Sequence, residues 1–205
     1  FGPYAADSAA LVGRCFETDY ELCGVETMAK LLSKPDAAEA ARAKALLREA
    51  YDVFKAAFKL YSSTSSELYT MGWNSFTEYT INCNLPDKAT LPRSDIDMIF
   101  IAACNSGPKG PRNPKKSLCR FQFLESSVRL ALKRWLGEGD GGACAAIEKL
   151  IEAVRALPNV EALRETEAFY ARYHVEETDL VLKARLDVLQ RVFARFSGKD
   201  DKPSA

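Results

Sequence analysis

Two polar stretches contain the residue types and spacings that point most directly to binding chemistry. The first, SSTSSE, runs from Ser62 to Glu67 and offers hydroxyl groups with a single carboxylate. The second, CNSGPKGPRNPKKSL, begins at Cys104 and carries four cations: Lys109, Arg112, Lys115 and Lys116. Its glycines and lysines lack the order of a phosphate-binding G-x-x-x-x-G-K-[ST] loop, and its prolines remove N–H groups that would hold an anion. This disfavours a nucleotide site and leaves two interpretations, a basic docking surface for an acidic partner and a solvated connector.

The six cysteines and His174, which is the only histidine, are the remaining candidates for metal or nucleophile chemistry. No two cysteines form a C-x-x-C pair, so a tetrahedral zinc site would need ligands scattered over the whole chain. No Ser or Cys arrangement around His174 indicates a catalytic triad. Most of the cysteines lie among apolar residues, where a reduced thiol behaves as a small core hydrophobe. We therefore expect no catalytic residue, no bound metal and no cofactor; an enzyme with a cysteine nucleophile is an alternative with only the cysteine count behind it.

Composition narrows the class of partner. The 28 basic and 28 acidic residues balance, which disfavours nucleic acid and anionic lipid as global partners, and no apolar run approaches the roughly 20 residues that span a bilayer. The start of the chain lacks the basic flank and apolar core of a signal peptide. With reduced cysteines, these features predict a cytoplasmic protein without nucleic-acid, membrane or small-molecule partners.

Apolar spacing predicts the elements that position these stretches. Apolar residues recur at helical intervals while strand signals are weak, so we expect an all-α fold. The stripe Leu47, Tyr51, Phe54, Phe58, Tyr61 recurs at a constant offset of 135 as Leu182, Leu186, Leu189, Phe193, Phe196, and a serine follows each copy. This pattern predicts an internal repeat, with unrelated amphipathic helices as the alternative. We expect one helical domain over 1–136 and a helical segment over 137–205 that begins the second copy.

Helix boundaries are predicted from capping residues. Ser94 is expected to cap a short helix whose first turn contains Asp95 and Asp97. We interpret these two aspartates as carboxylates that complement the N-terminus of the helix, in preference to a metal site. Ser117 is expected to cap the helix that follows the basic stretch. Trp73 and Trp135 are expected to close the ends of the core, because aromatic side chains bury large areas.

Two helix–loop–helix units resemble the apolar pattern of an EF-hand pair. In the first unit Phe58 and Tyr61 precede the loop, Met71 lies within it, and Phe76 follows. In the second, an equivalent set follows the same order: Ile99, Phe100, Leu118, Phe123, Leu124. The resemblance covers roughly residues 45 to 135. It implies a bundle of orthogonal helix pairs in which Met71 and Leu118 meet across a short β-bridge.

The calcium ligands of that family are missing. Ser75 and Gln122 stand where the resemblance places the closing bidentate Glu, the second loop has no carboxylate, and both loops are expected to exceed twelve residues. The resemblance therefore implies a protein–protein docking or scaffold module that works without calcium. Its partner would be an amphipathic helix, or an acidic, tubulin-like surface attracted by the four cations. A low-affinity calcium sensor that uses Glu67 and main-chain carbonyls is the alternative.

A second resemblance concerns the segment from Arg120 to Ala131. Its pattern R-F-x-F-L-E-x-x-V-R-x-A is similar to modules of large ciliary or cytoskeletal proteins of protists. The resemblance implies that this chain belongs to such a protein and acts in the cilium or cytoskeleton.

Overall fold

The computed structural model describes residues 8–33, 37–65, 69–108, 113–137, 141–157, 173 and 175–197. Within these ranges the chain is almost entirely helical, which confirms the all-α class. The helices are α1 Ala9–Leu22, α2 Val25–Leu32, α3 Ala37–Glu49, α4 Tyr51–Ser63, α5 Trp73–Asn82, α6 Arg93–Cys104, α7 Arg120–Trp135, α8 Ala143–Arg155, α9 Glu176–Ala184 and α10 Leu186–Phe196. Two short strands, β1 Met71–Gly72 and β2 Ser117–Leu118, complete the described structure.

The strands join the two predicted loops. β1 and β2 are antiparallel, with Met71 opposite Leu118 and Gly72 opposite Ser117. Met71 and Leu118 are both fully buried, so the bridge contributes to the core as well as to the backbone pairing. The predicted pairing of Met71 with Leu118 is confirmed, in register.

Three local predictions are wrong because the bridge and its neighbours change the boundaries. Ser94 lies inside α6, which begins at Arg93 after the extended residue Pro92. Ser117 pairs in β2, and α7 begins three residues later, where Cys119 and Gln122 form the capping box. The first loop is also shorter than expected: α4 continues to Ser63, so only residues 64–72 separate it from α5. The second loop, 105–119, is longer than twelve residues, as predicted.

α7 is the central helix of the core. Both faces of its first half are buried, and Phe123 packs edge-on against Tyr79 of α5 at 4.8 Å and tilted against Phe58 of α4 at 5.7 Å between ring centroids. Trp73 packs edge-on against Phe100 at 5.1 Å. Trp73 and Trp135 are partly buried against the core, as predicted for residues that close its ends.

A buried polar cluster fixes α1 against α4 and α7. Asp19 of α1 accepts hydrogen bonds from Arg120, with 2.6 Å from Nε to Oδ2 and 3.1 Å from Nη2 to Oδ1, and another from the Tyr51 hydroxyl. Burial, reinforced by the Asp19 carboxylate, raises the pKa of Tyr51 and keeps its hydroxyl a donor. Because Asp19 is almost completely buried, the paired cation and hydroxyl are what make its charge tolerable.

The contacts of the chain divide it into two compact units. One comprises Asp7–Leu163, and the other comprises Phe1–Ala6 with Arg164–Ala205. α8 belongs to the first unit, since it packs against α3, α4 and α7. Glu39 of α3 accepts a hydrogen bond from the backbone N–H of Cys144, at 3.1 Å, in the first turn of α8. The structure therefore groups α8 with the preceding helices, whereas the sequence predicts a boundary between residues 136 and 137.

The predicted stripe spans a helix break in both copies. The first copy breaks at Ala50, where φ is −96° and ψ is 11°, and α4 begins at the next residue. In the second, the break falls at Arg185, with φ −117° and ψ 14°, and α10 begins at the next residue. The two breaks are separated by the same offset of 135 that relates the apolar residues. This agreement supports the internal repeat over unrelated amphipathic helices.

Candidate functional site

The described part of the first loop is held by hydroxyl groups. The hydroxyl oxygens of Thr64 and Ser75 are 3.2 Å apart, and Thr64 donates to the carbonyl of Tyr61 at 3.0 Å. Since Thr64 has one hydroxyl proton, Ser75 is the donor between the two side chains. Ser65 accepts from the backbone N–H of Gly72 at 3.2 Å, which ties the start of the loop to β1. Glu67, the loop's single carboxylate, lies outside the described residues.

The second loop is closed by the amide of one buried side chain. Gln122 is fully buried, and its amide nitrogen is 3.3 Å from the carbonyl of Cys104, 3.0 Å from that of Ser106 and 2.9 Å from Oδ1 of Asn113. Its amide oxygen accepts from the backbone N–H of Cys119 at 2.8 Å. Gln122 therefore uses its donors and its acceptor at once, and the loop oxygens converge on a neutral N–H₂ group.

Asn113 reinforces this arrangement from within the loop. Its amide nitrogen donates to the carbonyls of Ser106, at 3.2 Å, and Pro108, at 2.9 Å. Across the described residues, no three His, Cys, Asp or Glu side chains come together in a way that would hold a metal ion. In the second loop, the oxygen atoms of Cys104, Ser106, Pro108 and Asn113, which a hard cation could use as ligands, therefore accept hydrogen bonds from side-chain amides.

Only half of the predicted basic surface lies in the described ranges. Lys115 and Lys116 are exposed in the turn immediately before β2. Lys109 and Arg112 lie outside the described residues, so the structure brings together two of the four predicted cations. The exposed pair is held close to the core by the neighbouring bridge residues Ser117 and Leu118.

An apolar groove that the sequence did not predict as a specific site lies between α2, α6 and α7. It has a volume of about 390 Å³ and an apolar lining of four residues: Leu31, Ile99, Leu132, Leu136. Arg129 and Lys133 of α7 also line it, and they pair with Glu125 at 2.7 Å and with Asp95 at 3.1 Å. The spacing of Leu132 on α7 and Leu136, the residue after α7, was the available sequence signal. The contribution of α2 depends on tertiary packing.

The cysteines have the properties of structural thiols. All six are free. Burial raises the pKa of Cys104 to about 11 and that of Cys83 to about 12, and it also raises the pKa of Cys23, whose thiol donates to the carbonyl of Phe121 at 3.1 Å. A thiol that stays protonated is a poor nucleophile, so these three residues do not provide an activated cysteine.

Comparisons with family models, with curated proteins and with solved structures give no match for this chain. In the ranges that the structure describes, no helix combines the length and the apolar character that crossing a membrane requires.

Proposed function

We propose that this chain is a non-enzymatic protein–protein interaction module built on an EF-hand-like pair of helix–loop–helix units that works without calcium. The observation that carries the proposal is the Met71–Leu118 bridge between two loops whose closing positions are held by neutral hydrogen bonds. Such loops fix the helices in one arrangement without a bound ion.

The spacing within the loops supports the EF-hand-like interpretation. Ser75 lies eleven positions after Thr64, the separation between the first and twelfth ligands of a calcium loop, and the two hydroxyls bond to each other. In the second loop, Gln122 places an amide nitrogen among three oxygens. A calcium sensor that relied on main-chain carbonyls would have to displace this amide from Cys104 and Ser106, and the site would still lack carboxylates.

The groove between α2, α6 and α7 supports an amphipathic helix as the partner. Its apolar lining fits the apolar face of an amphipathic helix, and the exposed Lys133, although it pairs with Asp95, can also attract an acidic residue at the edge of that helix. Lys115 and Lys116 would add attraction to an acidic, tubulin-like surface. Action within a ciliary or cytoskeletal scaffold stays a prediction. The Arg120–Ala131 pattern behind it describes buried packing of α7, since Phe121, Phe123 and Leu124 all lie in the core.

Calcium addition tests the ion-free module directly. We expect calorimetric titration of the natural chain with calcium up to about 5 mM to give only dilution heat, and the melting temperature to be the same in calcium and in EDTA, because a ligand that binds the folded state raises it. Saturable heat accompanied by a higher melting temperature would establish the calcium sensor instead.

A designed peptide tests the groove. The probe is a fluorescent amphipathic helix with leucines on one face and glutamates beside them, and its binding is followed by anisotropy at low salt. We expect Leu136→Glu to weaken binding at least about 10-fold, because a carboxylate in an apolar lining costs free energy and repels the glutamates. Replacing Lys115 and Lys116 by Glu should produce a smaller, salt-dependent loss.

Ile81→Glu is the matched control. Ile81 is an exposed apolar residue of α5 outside the groove lining, so the same change of residue type should leave peptide affinity unaltered. Equal affinities for the natural chain, Leu136→Glu and Ile81→Glu would exclude the groove as the docking site, provided that circular dichroism shows all three folded.

A further inference from the structure

The second copy of the repeat has an apolar face that the first copy buries. Val53, Phe54, Phe58 and Tyr61 of α4 correspond, at an offset of 135, to Val188, Leu189, Phe193 and Phe196 of α10. The correspondence includes Ala57 with Val192. We call Leu186, Leu189, Phe193 and Phe196 the α10 stripe.

Identified elements cover the first copy. Tyr51 packs edge-on against Phe16 of α1 at 5.5 Å, Phe58 packs against Phe123 of α7 at 5.7 Å, and Tyr61 packs edge-on against Tyr79 of α5 at 5.7 Å. α8 contacts α4 as well. The aromatic rings that cover the loop end of α4 thus come from α5 and α7, which contribute one helix from each helix–loop–helix unit.

The equivalent positions of α10 are exposed. Phe193 is 72% exposed where Phe58 is 8% exposed, and Phe196 is 83% exposed where Tyr61 is 5% exposed. Val188 and Val192 are exposed too, although Val53 and Ala57 are buried. Large apolar side chains grouped on one face of a helix mark a surface that another element covers.

The width of this face indicates what covers it. With Val188 and Val192 beside the α10 stripe, apolar residues occupy about 160° of the helix circumference at 100° per residue, which is the broad face of a helix in a globular core. A single partner helix, such as α10 of a second copy, would cover the narrow seam of a coiled coil and leave the two valines in water. More than one helix is needed, as α5 and α7 together cover the loop end of α4.

We propose that the α10 stripe docks a helical partner that contributes aromatic rings from two helices, as α5 and α7 contribute Tyr79 and Phe123 to α4. Asp187 and Arg191 lie outside this face and pair at 3.2 Å, one turn apart on the helix, while Arg195 borders the face beside Val188. The surface is distinct from the groove between α2, α6 and α7 and goes beyond the function proposed for that groove.

The test attaches such a partner to the full chain. In an extended protein, a second copy of residues 63–157 follows Ser197 in place of residues 198–205, so that the duplicated segment stands to α10 as the natural one stands to α4. Amide hydrogen exchange of residues 186–196 is measured by mass spectrometry in the natural and extended proteins. We expect exchange in α10 to slow about 100-fold or more on extension, since burial and packing protect helical amides.

The control is the extended protein with Leu189→Asp and Phe193→Asp, two changes at exposed positions of the natural chain. It should lose the protection of α10 while residues 51–61 stay protected. If α10 exchanges equally fast in the extended protein and in this control, the proposal is wrong.

Light scattering tests whether a second copy of the chain covers the α10 stripe instead. If the natural chain is a dimer that Leu189→Asp and Phe193→Asp dissociate, the α10 stripe binds a second copy of the chain, and the proposed partner is excluded. A natural chain whose molar mass these substitutions leave unchanged supports the proposal.

Discussion

At the scale of single residues, the chemistry of the second loop depends on one side chain. Gln122 is an amide where a calcium-binding loop of this pattern would have a carboxylate, and its N–H₂ group is surrounded by the oxygens of Cys104, Ser106 and Asn113. An amide can donate to these oxygens, whereas a carboxylate can only accept. The identity of this residue therefore determines whether the loop is stable without an ion.

Gln122→Glu tests this dependence. We expect the substitution to lower the free energy of unfolding by about 3 kcal/mol at pH 7 in EDTA, because it places an unpaired charge among acceptors. Those acceptors raise the pKa of the new carboxyl in the folded state. The stability of the variant relative to the natural chain should consequently be highest below about pH 4.3, where the carboxyl is protonated in both states, and should fall as the pH rises through the folded-state pKa.

Urea unfolding at several pH values, with and without millimolar calcium, measures these effects. Calcium should restore part of the loss in this variant alone, since the substitution adds a carboxylate beside the oxygens of Cys104, Ser106 and Asn113. Gln122→Met serves as the control: it removes the hydrogen bonds without adding charge, so its loss of about 1–3 kcal/mol should not vary with pH. A Gln122→Glu variant as stable as the natural chain at pH 7 in EDTA would contradict this account of the loop.

The sequence predicts that the loops lack carboxylate ligands, but it does not predict the hydrogen bonds that are present instead. The absence of carboxylates at Ser75 and Gln122 is visible in the printed residues, because ligand chemistry depends on residue type. The bonds between Thr64 and Ser75 and between Gln122 and Asn113 are not visible there, because they require knowing which groups the fold brings within 3 Å or so of each other. Lys109 and Arg112 stay predictions without a structural description.

At the scale of helices and loops, polar side chains set where segments turn. The linker between α5 and α6 is held by Asp87, whose Oδ1 accepts from the backbone N–H groups of Ala89 and Thr90, at 3.0 and 2.7 Å, and from the Thr90 hydroxyl at 2.8 Å. A backbone bridge between Asp87 and Leu91 closes the same turn. These bonds hold the turn that connects α5 to α6.

Asp87 gives a prediction about pH. The hydrogen bonds from Thr90 hold the pKa of the Asp87 carboxyl below its ordinary value, so its charge stabilises the fold above the pKa of the unfolded chain. This contribution disappears as the pH falls through the lower, folded-state pKa. Between about pH 5 and pH 2 the natural chain should therefore lose more stability than Asp87→Asn, which keeps an acceptor oxygen but has no charge to titrate.

Parallel urea titrations of the two proteins measure the difference, with Asp87→Ala as the variant that also lacks the acceptor. Asp87→Ala should be less stable than Asp87→Asn at every pH, because the N–H groups lose their partner. Superimposable pH profiles for the natural chain and Asp87→Asn would show that the Asp87 charge does not contribute.

At this scale, the sequence predicted which segments form helices, but it did not predict where those helices begin and end. The stripe and its offset identified α4 and α10, since apolar periodicity is a property of the sequence itself. The breaks at Ala50 and Arg185 carry no glycine or proline signal, and Ser94 and Ser117 were strong capping residues displaced by Pro92 and by the β-bridge. Tertiary pairing overrides local preference at such ends.

At the scale of the whole molecule, the cysteines report global stability. Cys23, Cys83 and Cys104 are buried in the first unit, whereas Cys15, Cys119 and Cys144 are partly exposed. With Ellman's reagent at pH 8, we expect Cys119 and the other partly exposed thiols to react before the three buried ones. The buried thiols should react only as fast as the fold opens.

Mass spectrometry of labelled peptides identifies the order, and the denatured chain provides the control, since all six thiols should then react together. A thiol of the native protein that reacts faster than the same thiol in the denatured chain would indicate an activated cysteine and favour the enzyme alternative. The raised pKa of the buried thiols also predicts a loss of stability above about pH 8.5, because deprotonation then favours the unfolded chain.

The contact between Asp19 and Arg120 has a consequence for how the protein is made. The two residues are 101 positions apart in sequence, and Asp19 is buried only when α7 is in place. At a synthesis rate of about 5–20 residues per second, α1 is made roughly 5–20 seconds before the arginine that neutralises its buried carboxylate. During that interval Asp19 has no arginine partner, so the polar cluster of α1, α4 and α7 can form only after Arg120 has been made.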